Sequence, residues 1–297
     1  MNAFGVIGAG NMGGGMVQNL LGKGWQVHVH DVDPDVMQQM GVRGAVLHDA
    51  PAALARSCDT LAIVVVDQRQ VDQVLVGPGS SGLLSALGPQ HTVLLCPTLG
   101  VSDVEQTAVR VSSCGASLID APMSGGPLRA CQGQMSLMVA CSDALFKRHE
   151  ALLNALANPV VHVSQRVGDG ARTKLVNNLL AAINLVGASE VMNLAIQMGL
   201  DPHTTLQVMQ SSSGQSWISG DRLPRALAND LAPRAHMTLL GKDTQLAIQM
   251  AKNAGASTPL GQLATDAFAR ACETGWAEWD DAAMMASLRS DHPTGKP

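Results

Sequence analysis

Lys174, Asn177 and Asn178 fall at spacings i, i+3 and i+4 in a run free of proline. On a helix that spacing gathers them on one face. A lysine beside an amide can move a proton next to a group that orients a hydroxyl; the same spacing also suits a solvated helix face. A second set, Gly8-Ala9-Gly10-Asn11-Met12-Gly13, spells G-x-G-x-x-G, and Asp31 follows 18 residues after Gly13. Its glycines permit a tight turn, close approach of a pyrophosphate to the backbone, and close packing of helix on strand. The acid is placed to hydrogen-bond ribose hydroxyls.

Asp31 also bears on which dinucleotide would fit. Its carboxylate repels a 2′-phosphate, and Val32 and Asp33 bring no arginine to receive one. The nearest basic side chain downstream is Arg43. The expected cofactor is therefore NAD rather than NADP. His28 and His30 share one face of their strand but lack a third ligand, so no metal site is assigned.

These groups need elements to hold them. Residues 3–8 form an apolar strand, then the glycine motif opens a helix to about Leu21, and 26–31 form a second strand ending in Asp31. Strands are expected over 46–47, 60–66, 91–96, 117–120, 135–140 and 159–163, alternating with helices over 34–40, 51–57, 68–75, 101–112 and 143–156. Such alternation implies an α/β fold with a parallel, doubly wound sheet and ligands at the strand C-termini. Two loops there carry polar groups: Thr98 after one strand, and Asp120-Ala-Pro-Met-Ser-Gly-Gly-Pro127 as a rigid turn after another. Ser124 and the N–H groups of Gly125 and Gly126 could cradle a small anion, or merely make a connection. A helix of about 27 residues, roughly 40 Å, spans 168–198. Helices follow at 201–211, 221–229, 238–254, 258–274 and 280–289, with no strand and a fraying tail after Arg289. Two domains result, a dinucleotide-binding one at 1–164 and an all-helical one at 165–297, joined by the long helix.

Composition narrows the partners. A net charge of −5 and a pI near 5.9 argue against nucleic acid or an anionic membrane. No uninterrupted apolar run reaches about 18 residues, so no membrane span is expected. The N-terminus lacks a charged leader pattern, which points to the cytoplasm. Six cysteines without a C-x-x-C pair read as free thiols.

Four stretches, Gly8–Gly13, Asp120–Gly126, Gly168-x-Gly-x-x-x-Lys174-x-x-Asn177-Asn178 and Lys242-Asp243-x-x-x-Ala, resemble in order the β-hydroxyacid dehydrogenase family. That family includes 3-hydroxyisobutyrate dehydrogenase, tartronate-semialdehyde reductase and L-threonate dehydrogenase. The resemblance covers nearly the whole chain. It implies a Rossmann domain, a long helix and an all-helical domain, in a dimer or tetramer. It makes Lys174 the catalytic lysine, Asn178 the substrate-orienting amide, and Ser124, Gly125 and Gly126 the carboxylate-binding turn. Asp243 joins them at the substrate. Thr98 falls beside the nicotinamide, Lys242 reaches the cofactor, and Val65 and Val66 replace the usual Leu-Pro over it, with Gln70 four residues on. Asn11 and Met12 complete the phosphate loop.

Two residues depart from the family pattern. Pro97 replaces a small hydroxyl residue before Thr98, and Ala235 stands where many members place Phe against the substrate. Gly214-Gln-Ser-Trp217 and Pro233-Arg234 look most like members acting on polyhydroxylated acids such as L-threonate. The implied reaction moves a hydride between a small β-hydroxy or polyhydroxy acid and NAD, while Lys174 moves the proton. Lys174 must be neutral part of the time, and desolvation with Lys242 nearby would lower its pKa. Alternatives are a tartronate- or succinic-semialdehyde-type reductase, and a non-catalytic NAD-binding module. Imine reductases usually lack the lysine, and 6-phosphogluconate dehydrogenases carry a longer helical domain.

Overall fold

The computed structural model describes residues 3–289, so the tail expected to fray lies outside the described residues. The chain divides into two compact units, Met1–Lys174 and Leu175–Pro297.

Among the described residues of the first unit are nine strands: β1 (Ala3–Ile7), β2 (Gln26–His30), β3 (Val46–Leu47), β4 (Thr60–Ile63), β5 (Thr92–Leu95), β6 (Ser117–Asp120), β7 (Met123–Ser124), β8 (Met135–Ala140) and β9 (Ala157–Ser164). They form one sheet in the order β3-β2-β1-β4-β5-β6-β8-β7, with β9 also on β8. From β3 to β6 all pairs are parallel. The order reverses between β1 and β4, which opens a crevice beyond the carboxyl ends of those strands.

Helices cover both faces of this sheet. They are α1 (Asn11–Gly22), α2 (Pro34–Val42), α3 (Pro51–Ala55), α4 (Gln68–Val76), α5 (Val101–Ser113), α6 (Gly126–Cys131) and α7 (Asp143–Leu156). Met16, Val17 and Leu20 of α1 with Leu152, Leu153 and Leu156 of α7 pack on Phe4 and Val6. On the opposite face Leu54, Val71, Leu75, Val104 and Val111 pack on Ile7, Leu61, Ile63 and Leu95. Successive strand residues point to opposite faces, so a strand buried on both becomes a continuous apolar run. Leu61-Ala62-Ile63 and Val93-Leu94-Leu95 are such runs, each residue at most 1% exposed.

The structure corrects the sequence reading in three places here. The strand expected over 60–66 ends at Ile63, because its partner β1 ends at Ile7, where the chain turns at Gly8. The turn at 120–127 holds two elements, since Met123 and Ser124 pair with Leu137 and Ser136 and α6 begins at Gly126. Finally, β8 runs antiparallel to β6 and β7, so the sheet is parallel-dominated rather than wholly parallel. The link 125–134 between β7 and β8 is shorter than a parallel crossover needs.

The long helix is α8 (Asp169–Gln197), whose first residues belong to the first unit. Beyond it come α9 (Pro202–Gln210), α10 (Trp217–Leu227), α11 (Met237–Asn253), α12 (Pro259–Ala271) and α13 (Met284–Ser287). Ala182, Leu185 and Val186 of α8 share a core with Met237, Leu240, Phe268, Trp276 and Met284. Helix α10 starts four residues earlier than expected, because the Ser216 hydroxyl accepts the Ser219 N–H at 3.2 Å and caps it there.

Among the described residues, α8 is long and apolar enough to cross a membrane by length and composition, contrary to the sequence expectation. A core helix meets the same criteria. Asn193 on α8 is 7% exposed and donates to the Met285 carbonyl at 2.8 Å, a bond made inside protein.

Candidate active site

The glycine motif is shaped by what a Cβ would strike. On Gly13 it would lie 1.9 Å from the Gly8 carbonyl oxygen, and on Gly8, at φ +90°, 2.7 Å from that of Val64. On Gly10 it would meet nothing within 4 Å. The outer glycines therefore close the strand–helix turn, while Gly10 leaves open space before the start of α1. Asn11 and Met12 begin that helix, and Met12 packs against the core beneath. The N–H groups of a first helical turn and the helix dipole at this end favour an anionic group. The residues present fit the pyrophosphate of a dinucleotide.

Asp31 follows β2 and is tied to the same loop. One carboxylate oxygen accepts the Ala9 N–H at 2.6 Å and the other the Asp33 N–H at 2.9 Å. Each oxygen keeps lone-pair capacity for a ribose hydroxyl. Val32 is exposed, and Arg43 donates to Gln18 at 3.1 Å. His28 stacks on His48, its Nδ1 2.8 Å from the His48 Nε2, while His30 Nδ1 lies 2.9 Å from the His48 carbonyl. Burial lowers the pKa of both His28 and His48.

Val65 packs against the core and Val66 is about half exposed in the loop after β4. Gln70 holds that loop from α4, its side-chain oxygen accepting the Val66 N–H at 2.8 Å. The sequence placed Gln70 near the cofactor; the structure gives it a bond that fixes the loop. Thr98 lies between β5 and α5, flanked by buried Pro97 and Leu99. Ser124 ends β7, and Gly125 and Gly126 follow at φ +126° and +76°. Lys174, 6% exposed, lies in the second turn of α8.

In the second unit Asn178 is 8% exposed and fully engaged on one side. Its amide N–H donates to Asp243 at 2.6 Å, and its carbonyl accepts from the Asn177 amide at 3.1 Å. The other Asp243 oxygen is 2.9 Å from Lys242 Nζ, an ion pair not aligned as a hydrogen bond. The structure thus gathers Asn177, Asn178, Lys242 and Asp243, with Asp243 orienting the amide. Ala235 sits in the loop before α11. Asp280, wholly buried, holds that loop by accepting the Arg234 and Ala235 N–H groups at 2.8 and 3.0 Å.

Sequence reasoning missed two anchors of this kind. Asp280 gave no signal beyond an acid in a polar stretch. Asp120 was quoted within its motif without a role, although an acid ending an apolar strand was visible.

Residues 3–164 match the family model for the NAD binding domain of 6-phosphogluconate dehydrogenase. Residues 168–288 match that for the NAD-binding of NADP-dependent 3-hydroxyisobutyrate dehydrogenase. The L-threonate dehydrogenase of Cupriavidus necator is 32% identical, over 95% of this chain and 94% of that protein. The mitochondrial 3-hydroxyisobutyrate dehydrogenase of Mus musculus is 31% identical, over 97% and 88%. A crystal structure of 3-hydroxyisobutyrate dehydrogenase from Salmonella typhimurium superposes with a TM-score of 0.89 at 29% identity, covering 97% of this chain and 100% of that one. With the glycine turn and helix start shaped for a dinucleotide, the chain belongs to the β-hydroxyacid dehydrogenase family and is an NAD-dependent oxidoreductase.

Proposed function

We propose that this oxidoreductase acts on a small β-hydroxy or polyhydroxy acid, of the L-threonate or 3-hydroxyisobutyrate kind, with Lys174 as general acid/base. The observation that supports it most is the burial of Lys174 and Asn178, 6% and 8% exposed, one helical turn apart on α8. Burying a cationic head and an amide is costly and is kept where a reaction uses them.

Bound NAD supplies the hydride acceptor. Lys174, in its neutral form, takes the proton of the substrate hydroxyl as the carbonyl forms, and returns it in the reductive direction. Asn178 has one amide N–H and one lone pair left after its bonds to Asp243 and Asn177, and these hold the reacting oxygen. The Ser124 hydroxyl and the Gly125 and Gly126 N–H groups take the carboxylate. Asp31 takes the ribose hydroxyls and disfavours NADP.

Ala235 leaves room where a ring would narrow the pocket, which favours the polyhydroxylated acid over the branched one. Residues 1–164 serve the cofactor and 165–297 the substrate and self-association. Val176, Leu180, Val191 and Leu194 of α8 are about half exposed or more, which supports a homodimer or homotetramer.

The test is kcat/KM for both acids with NAD and with NADP, in wild type and in Lys174→Ala. The expected order is L-threonate over 3-hydroxyisobutyrate and NAD over NADP. Lys174→Ala should keep its affinity for NAD and lose at least about a hundredfold in kcat. Near-normal turnover in that variant would overturn the acid/base assignment.

A further inference from the structure

We infer that Asp120 is a positioning residue of the reaction, a buried carboxylate at the end of β6, four residues before Ser124, that holds the start of the helix bearing Lys174. The inference deepens the proposed function and rests on its assignment of Lys174.

Asp120 is 1% exposed at the end of β6. One of its oxygens accepts the Gly168 N–H at 2.9 Å and the Ala171 N–H at 3.2 Å, and the Gly170 N–H also points to the carboxylate. A helix start leaves its first N–H groups without internal partners, and here one side chain from a strand accepts two N–H groups at the start of α8, with that of Gly170 directed at it. The approach is close enough to dictate sequence. A Cβ on Gly170 would lie 2.9 Å from Asp120 and 2.8 Å from the Met138 carbonyl oxygen. Lys174 follows one turn after Gly170, and Ser124 follows Asp120 by four residues. The first turn of the helix that carries Lys174 is therefore pinned, through this carboxylate, to the end of the strand that leads into Ser124.

The same carboxylate gives the arrangement a pH signature. Burial raises the Asp120 pKa to about 6, the three N–H groups oppose that rise, and the Asp169 charge adds to it. The other groups facing it are the Cys96 thiol beyond β5 and the Cys141 thiol beyond β8, pushed to about 12 and about 11 and so neutral in the working range. Below about pH 6 the acid gains an O–H and loses its charge, which weakens its bonds to the helix N–H groups. Activity should fall there. Stability should move the other way. A carboxyl whose folded pKa lies above its unfolded value contributes stability at low pH that is lost as pH rises through about 4 to about 6.

The experiment measures kcat/KM with the better of the two acids, NAD affinity and melting temperature, from about pH 5 to about pH 8. It uses wild type, Asp120→Asn, Gly170→Ala and Lys174→Ala. Asp120→Asn should lose at least about tenfold in kcat/KM with NAD affinity within about twofold of wild type. It should also lose both the acid limb near pH 6 and the opposed stability trend. Gly170→Ala, which displaces the helix but keeps the carboxylate, should lose activity and retain the limb. Wild-type kcat/KM in Asp120→Asn overturns the inference, as does loss of NAD affinity in parallel with activity, which would mark a merely structural role. An inactive Lys174→Ala beside a fully active Asp120→Asn overturns this inference alone. An active Lys174→Ala overturns the function it rests on.

Discussion

Two loops of the first unit leave the carboxyl end of a strand and open a helix, one from β1 to α1 and the other from β6 through β7 to α6. Both are rich in glycine, for different reasons. At Gly8 and Gly13 a side chain has no space, because backbone oxygens lie 2.7 and 1.9 Å from where it would be. At Gly126 a Cβ would meet nothing within 4 Å, but φ is +76°. Crowding alone demands glycine at Gly13 and adds to the positive φ at Gly8, whereas at Gly126 backbone conformation alone demands it. Crowding makes a rigid cradle of one shape, suited to a cofactor shared by many enzymes. A conformational requirement leaves space around Gly126, in keeping with the substrate role proposed for its turn.

The sharpest way to break this contrast is Gly13→Ala. The new methyl meets a backbone oxygen that cannot yield, so NAD binding should be lost, with a fall in stability of about 1–3 kcal/mol. Urea unfolding and NAD titration read both, and a variant that binds NAD normally would show that the crowding is slack. Gly10→Ala should behave differently in the same loop. Its methyl points into open space, so stability should stay within about 0.5 kcal/mol while NAD affinity drops roughly tenfold. Gly126→Ala should leave NAD affinity alone. A left-handed residue costs about 1–2 kcal/mol, and KM for the acid should rise severalfold. A change confined to NAD affinity would reassign the second turn to the cofactor. The smallest effect is a change of preference. Asp31→Asn with Val32→Arg should move the ratio of NAD to NADP efficiency toward NADP by about tenfold, measured as kcat/KM with each.

The same contrast explains what was legible in the sequence. Glycines excluded by crowding recur at fixed offsets, and the strand and helix around them follow from apolar runs, so the cofactor half could be read from Gly8 to Asp31. The family resemblance then supplied Lys174, Asn178 and Ser124. Hidden from the sequence were partnerships between residues far apart. Asp243 lies 65 positions from the Asn178 amide it orients, and Asp120 lies 48 from the Gly168 N–H it accepts. A carboxylate that ends a strand looks the same whether it faces water or a helix start. The antiparallel β8 escaped for a related reason, since pairing direction depends on the length of a link and leaves no mark on the apolar pattern of the strand.

The bond from Ala9 to Asp31, beside the ribose role proposed for that carboxylate, bears on how such an enzyme could diverge. A lineage under selection for the phosphorylated dinucleotide must remove this negative charge. Removing the whole side chain would also strand the Ala9 N–H that it holds at 2.6 Å. Accessible intermediates are therefore neutral residues that still present an oxygen, such as asparagine or serine, with an arginine at the exposed neighbouring position. The choice of replacement is set by a hydrogen bond that has no part in recognising the phosphate.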